Sequence, residues 1–136
     1  MLLGAIVGYE RERAGKAAGL RTHLLVAMDS ALFVIGCSGA AMSWEGVFRV
    51  IEGVATGIGF IGAGTILERR DKREIEGLTT AAGIYMTAGT GVAVGLGRLG
   101  LALLSVILTW VVLGLMGFIT VRLNKNPAAS GTDVER

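Results

Sequence analysis

Two carboxylates lie inside apolar stretches of this 136-residue chain, and their chemistry is the first to explain. Asp29 lies in "LLVAMDSALFVIG" and Glu52 in "VFRVIEGVATGIG". A carboxylate at the centre of a membrane helix costs about 3 kcal/mol, so each must face water, find a partner or bind a cation or proton. Asp29 and Glu52 are therefore candidate cation or proton sites, although the sequence does not indicate which metal.

Each carboxylate also has a structural alternative. Glu52 follows Arg49 by three residues on the same helical face, which predicts an ion pair between them. Asp29 has Ser30 beside it, and Arg69 or Arg70 could reach it from a later loop, so a structural and a functional role both stay open. When the helical rise is counted from the predicted ends of the two helices, the depths of the two carboxylates differ by about 12 Å. This difference argues against one shared metal site.

The remaining chemistry is sparse. His23 is the only histidine, and without a nearby cysteine or second histidine we expect it to act at a helix start or membrane interface. The single cysteine, Cys37, lies in an apolar run and is expected to be a small buried residue. No serine has a base near it in sequence, so we expect neither an enzyme nor a cofactor.

The elements that hold these residues follow from composition. The chain is 52% hydrophobic and 18% charged, which is typical of a membrane protein, and its net charge of +2 is too small to indicate nucleic acid binding. Four segments are long enough to cross a bilayer, and a shorter one precedes them. The predicted fold is an all-α, polytopic transmembrane helical bundle with four full spans, at 24–43, 47–67, 78–97 and 99–121, and a shortened N-terminal hydrophobic helix at 1–9.

Loop charges predict the orientation of the spans. Four basic residues precede the first full span and four separate the second from the third, whereas the other two loops hold only Arg49 and Arg98. By the positive-inside bias the two basic loops and the C-terminus face the cytoplasm. The second basic loop, "ERRDKREIEG", balances its charges and is expected to be a solvated loop.

Small residues at four-residue spacing fill the second span, where "GVATGIGFIGAG" covers residues 53–64. Such spacing lets membrane helices approach closely. We therefore predict helix packing at five glycines, with exposure of backbone carbonyls to an ion or substrate as the alternative: Gly53, Gly57, Gly59, Gly62 and Gly64. Gly83, Thr87 and Gly91 extend the pattern to the third span.

Four stretches of the chain resemble, in order, the motifs of the MgtC/SapB family of bacterial inner-membrane proteins. They are "LLGAIVGYERE" at 2–12, "AGLRTHLLVA" at 18–27, "GIGFIGAGTIL" at 57–67 and "GLTTAAGIYMTAGTGVAVGLG" at 77–97. The resemblance implies a transmembrane domain over residues 1–122, followed by a short polar cytoplasmic tail at 123–136, with no ACT-like domain expected there. The polar residues of these motifs and their surroundings are Glu10, Arg11, Arg21, Thr22, Arg49, Thr79 and Thr80.

The resemblance also implies two competing functions. One is a membrane protein linked to magnesium homeostasis or stress adaptation that modulates other membrane proteins, including the ATP synthase and cation transporters. The other is transport, for which the residues themselves suggest a small oligomeric cation or proton transporter that uses Asp29 and Glu52. In either case we expect a multi-pass protein of the bacterial inner membrane, in contact with the lipid bilayer and assembled as a homo-oligomer.

Overall fold

Five helices and one short hairpin make up the described part of the chain. The computed structural model describes residues 1–39, 43–69 and 74–124. The helices are α1 (Leu2–Arg13), α2 (Leu20–Gly39), α3 (Trp44–Ala63), α4 (Leu78–Gly95) and α5 (Leu99–Asn124). Strands β1 (Leu67–Arg69) and β2 (Glu74–Glu76) lie between α3 and α4 and pair in an antiparallel register that sets Glu68 opposite Ile75.

Local sequence explains where several helices begin and end. Ser43 caps α3, because its hydroxyl accepts a hydrogen bond from the Gly46 amide, and Glu45 complements the positive end of the helix dipole. Gly97 ends α4 with φ +71°, and the next amide, of Arg98, donates back to the Ala93 carbonyl. This left-handed glycine closure makes the tight turn from α4 into α5.

The α1–α2 hairpin is held by a carboxylate. The side chain of Glu12 accepts a hydrogen bond of 2.7 Å from the Leu20 amide, at the first residue of α2. This bond satisfies one of the amide groups that a helix start leaves unpaired. A Cβ on Gly19 would lie only 2.8 Å from the Glu12 carboxylate, so a glycine at this position leaves room for the cap.

Helix α4 is the centre of the bundle, since it packs against each of the other four helices. Its closest neighbour is α2. A Cβ on Gly91 would lie 2.5 Å from the Ala27 carbonyl oxygen, and one on Gly95 would lie 2.7 Å from Val34 Cβ. Two glycines four residues apart therefore bring the backbones of α4 and α2 together.

Helix α1 packs against the first half of α2 in the same way. A Cβ on Gly4 would lie 2.7 Å from Ala27 Cβ, and one on Gly8 would lie 2.8 Å from Leu20 Cα. Two glycine pairs, each at four-residue spacing, thus contact α2, one along its first half and one along its second. Ile84 and Val34 are fully buried in the core that results.

The predicted helices are present, but several predicted details differ. Helices α2 and α3 begin at residues 20 and 44, earlier than predicted, and α3 ends at Ala63. The loop after α3 carries the β1–β2 hairpin, which was not predicted because its charged residues give no strand alternation. Arg70, Asp71, Lys72 and Arg73, and the polar tail from Lys125, lie outside the described residues.

Length and composition support part of the predicted membrane topology. Among the described residues, Leu20–Cys37 and Trp44–Ala63 are long and apolar enough to cross a membrane, and Leu99–Leu115 is a shorter apolar stretch. The chain is therefore an all-helical bundle with at least these two candidate spans, and the four-span topology stays a prediction.

Three of the α3 glycines that we predicted to pack against another helix meet no other helix of this chain, and packing against a second protein or a second copy stays a prediction. A Cβ on Gly53, Gly57 or Gly59 would meet no atom within 4 Å, while Gly62 lies 3.5 Å from Ala81 Cβ by the same measure. Gly64 follows the end of α3 and contacts only its own last turn. The glycines of α4 and α1 make the close approaches instead.

These contacts predict opposite effects for two glycine-to-alanine changes. Gly91→Ala should lower the free energy of unfolding by about 1 to 3 kcal/mol, because the added methyl overlaps the Ala27 carbonyl. Gly57→Ala should leave stability unchanged or raise it, because the methyl enters open space. Thermal melting of both variants in detergent tests this, and an equal loss of stability in the two would contradict it.

Candidate functional site

A histidine lies at the junction of three helices. His23 is fully buried on α2, and its Nδ1 atom lies 2.7 Å from the hydroxyl oxygen of Thr87 on α4. The Thr87 hydroxyl in turn donates to the carbonyl oxygen of Gly83, at 2.9 Å. A hydroxyl has one hydrogen, so both contacts are hydrogen bonds only when the imidazole donates through Nδ1–H.

This assignment leaves the other ring nitrogen as an acceptor. In a neutral imidazole that carries its proton on Nδ1, Nε2 has a free lone pair. Nε2 is buried and has no hydrogen-bond partner within the described part of the chain. His23 lies in the first turn of α2, as predicted, but its side chain is buried between α1 and α4 and not at an exposed interface.

Arg11 is a buried charged residue on α1, one of the three helices that form this junction. It is 3% exposed, and two of its nitrogens bind the two carboxylate oxygens of Glu10, with Nη2 2.9 Å from Oε1. A two-point pair of this kind holds a guanidinium in a fixed plane. The pair lies on α1 one turn beyond Gly8, whose Cβ would be 2.9 Å from His23 Cβ.

The junction joins stretches that are far apart in sequence. Arg11 belongs to the first family-like motif, His23 to the second, and Gly83 and Thr87 to the fourth. Of the other motif residues, Thr80 is buried on α4, Thr22 is half-buried, and Arg21, Arg49 and Thr79 are exposed. Sequence reasoning missed the meeting of His23 with Thr87, although both residues lie within the quoted motifs.

Three further buried or half-buried hydroxyls have hydrogen-bond partners close by. Thr90 and Ser105 place their hydroxyl oxygens 2.8 Å apart between α4 and α5, so one of them donates to the other and the second can donate to a carbonyl of its own helix. Thr109 donates to the Ser105 carbonyl within α5. Such bonds let hydroxyls be buried in an apolar bundle without any further ligand.

Asp29 lies on the outside of this packed interior. It is exposed on α2, and its side chain makes no hydrogen bond or ion pair with any described residue, including the buried Ser30. It lines a groove of about 480 Å³ between α2 and α3. Apart from Ser30, the other walls of the groove are apolar or glycine and include Val26, Phe33, Gly53, Gly57 and Ile61.

Glu52 does not form the predicted ion pair with Arg49. Arg49 binds Glu45 instead, with 3.0 Å between Nη2 and Oε1 on the exposed start of α3. A glutamate four residues before a basic residue is the favoured arrangement on a helix, which explains the preference. The Glu52 side chain is exposed and has no such partner among the described residues, and it does not line the groove of Asp29.

The predicted difference of about 12 Å in depth between the two carboxylates is wrong. Gly91 packs on Ala27 and Ser30, while Ile51 and Val92 line one cavity between α3 and α4. Asp29 and Glu52 are therefore nearly level, because α2 and α3 begin earlier than predicted. Among the described residues, no three His, Cys, Asp or Glu side chains come together to hold a metal ion.

These features define a helical membrane protein with a polar junction at the meeting point of its sequence motifs. The chain belongs to the MgtC family, which matches residues 1–122.

Three relatives show the extent of the similarity. SrpB of Synechococcus elongatus is 44% identical over 130 residues, which cover 87% of this chain and 70% of SrpB. "Putative magnesium transporter YhiD" of Escherichia coli is 43% identical, over 93% of this chain and 63% of YhiD. MgtC of Salmonella typhimurium is 42% identical, over 79% of this chain and 45% of MgtC. No solved structure matches the chain.

The junction predicts unequal effects for two threonine-to-valine changes. Thr87→Val removes the acceptor of the buried His23 N–H and should destabilise the bundle by about 1 to 3 kcal/mol. Thr109→Val removes only a bond to the helix's own carbonyl and should cost less. Melting curves of the two variants test this, and a Thr87→Val protein as stable as wild type would contradict it.

Proposed function

We propose that this chain acts in magnesium homeostasis by modulating other membrane proteins, which it binds through the groove between α2 and α3. Family membership and the name of the relative "Putative magnesium transporter YhiD" support the link to magnesium. The groove is the surface that we assign to binding, and the proposed occupant is a membrane-spanning helix of another protein.

The observation that carries this proposal is the position of Asp29. Its carboxylate lies in an apolar, glycine-lined groove on the outside of a candidate span, where contact with lipid alone would cost about 3 kcal/mol. A partner helix with a hydrogen-bond donor at that depth would remove this cost. Gly53 and Gly57 would let the two backbones approach closely, as small residues do between membrane helices.

The packing of the interior also favours action through the outer surface. Close contacts at Gly91 and Gly95 fill the space between α2 and α4, and the hydroxyls of Thr90 and Ser105 bind each other or their own helices. A path for a hydrated cation through one copy would have to open these contacts. Both exposed carboxylates lie outside them.

A phenylalanine scan of open glycines tests the proposal. Gly57→Phe should fill the groove without disturbing the fold, because no atom lies within 4 Å of the added Cβ, and it should abolish growth support in low magnesium. Gly114→Phe on α5 is equally open and outside the groove, and should support growth like wild type. Membrane accumulation of both variants is measured alongside, and normal growth with Gly57→Phe would contradict the proposal.

A cation or proton transporter is the second candidate. The level positions of Asp29 and Glu52 favour it, because neighbouring copies related by rotation about the membrane normal would keep the two carboxylates at one depth. Such a path would run between copies of the chain.

The proposed topology is a multi-pass protein of the bacterial inner membrane with a cytoplasmic C-terminus. The alternation of basic loops supports it. Reporter fusions at Lys72 and Lys125 should therefore score as cytoplasmic and a fusion at Glu45 as external. A cytoplasmic result at Glu45 would show that a span has been miscounted.

A further inference from the structure

Nε2 of His23 is the one buried side-chain nitrogen or oxygen without a hydrogen-bond partner among the described residues. A buried acceptor without a donor is strongly unfavourable, and native proteins satisfy nearly all of them through protein groups or ordered water. The bond from Nδ1 to Thr87 fixes the ring, so Nε2 cannot turn toward a different donor on α4. A donor must therefore come to it.

The surroundings restrict what that donor can be. The ring is enclosed by α1 and α4, with Cε1 3.7 Å from the position of a Cβ on Gly83 and with Gly8 against His23 Cβ. Two charged groups of α1, Arg11 and Glu10, lie close enough to act on the ring electrostatically. From α4, Thr87 binds Nδ1 and Gly83 lies beside Cε1. A metal ion beside the Arg11 guanidinium would be repelled, whereas a neutral molecule would not.

Arg11 offers the complementary chemistry. A guanidinium carries five N–H donors, and only two of its nitrogens are used by Glu10. Water can accept a hydrogen bond from the guanidinium and donate one to an imidazole nitrogen. The Cβ of His23 tilts toward the start of α2, which brings the ring toward the level of Arg11, one turn beyond Gly8 on α1.

We propose that a single buried water molecule binds between His23 Nε2 and the Arg11 guanidinium, donating to the imidazole and accepting from the arginine. This water completes a chain of hydrogen bonds from Glu10 through Arg11, His23 and Thr87 to the Gly83 carbonyl. It ties α1 to the α2–α4 pair by polar contacts and joins residues of three motif stretches. The inference does not depend on the proposed function.

A double-mutant cycle tests the bridge. His23→Asn keeps an amide donor near the Nδ1 position for Thr87 but has no atom in the place of Nε2, and Arg11→Met removes the guanidinium. Each single variant should lower the melting temperature, and the double variant should lose clearly less than the sum of the two losses. The freed Glu10 carboxylate is common to both Arg11→Met proteins, so its effect cancels within the cycle.

A parallel cycle provides the control. Thr109 is buried on α5 and bonds only to its own helix, so the effect of Thr109→Val should add to that of Arg11→Met. Additive effects for the Arg11 and His23 pair as well would overturn the water bridge.

A direct measurement covers the case in which His23→Asn does not fold. An experimental structure of the wild-type protein, at a resolution that shows ordered water, should contain one density peak within hydrogen-bond distance of both Nε2 and Arg11. Direct contact of Nε2 with a protein donor, or an empty map between the two groups, would also overturn the proposal.

Discussion

The close approach of α2 to α1 and α4 is the constraint on which the structure depends. Gly91 and Gly95 bring α4 against the second half of α2, and Gly4 and Gly8 bring α1 against its first half. Larger residues at these positions would separate the helices and remove many small dispersion contacts, which are the main source of attraction between helices in lipid. The buried His23 is possible only because these backbones are close enough to enclose it.

The polar junction follows from that packing. Once His23 is enclosed, each polar atom of its ring needs a partner, and Thr87 supplies one through its hydroxyl. Arg11, also buried, is neutralised by the adjacent Glu10. The interior of the bundle thus contains a few buried polar side chains and is otherwise apolar and tightly packed. The unpaired carboxylate of Asp29 lies on the outer surface, which is why we assign the interaction with other membrane proteins to that surface.

Much of the architecture could be predicted from the sequence, since apolar length and composition determine where membrane helices form. Close helix packing at small residues was also predictable, but which helices of the chain make these contacts was not. Glycines at four-residue spacing occur in α1, α3 and α4, and only the relative rotation of the helices decides which pairs meet. The same rotation encloses His23, whose type and position alone suggested an interface. The choice of Glu45 over Glu52 as the partner of Arg49 is made within α3, where a glutamate four residues before the arginine is favoured.

The central claim is that the chain acts through its outer surface and does not carry ions through its packed interior. Purified protein in liposomes that contain a magnesium-sensitive dye tests this most directly. The account predicts that magnesium entry into liposomes with wild-type protein equals that into empty liposomes. Entry well above that level, abolished by Asp29→Asn in protein that inserts normally, would contradict the account and establish the transporter.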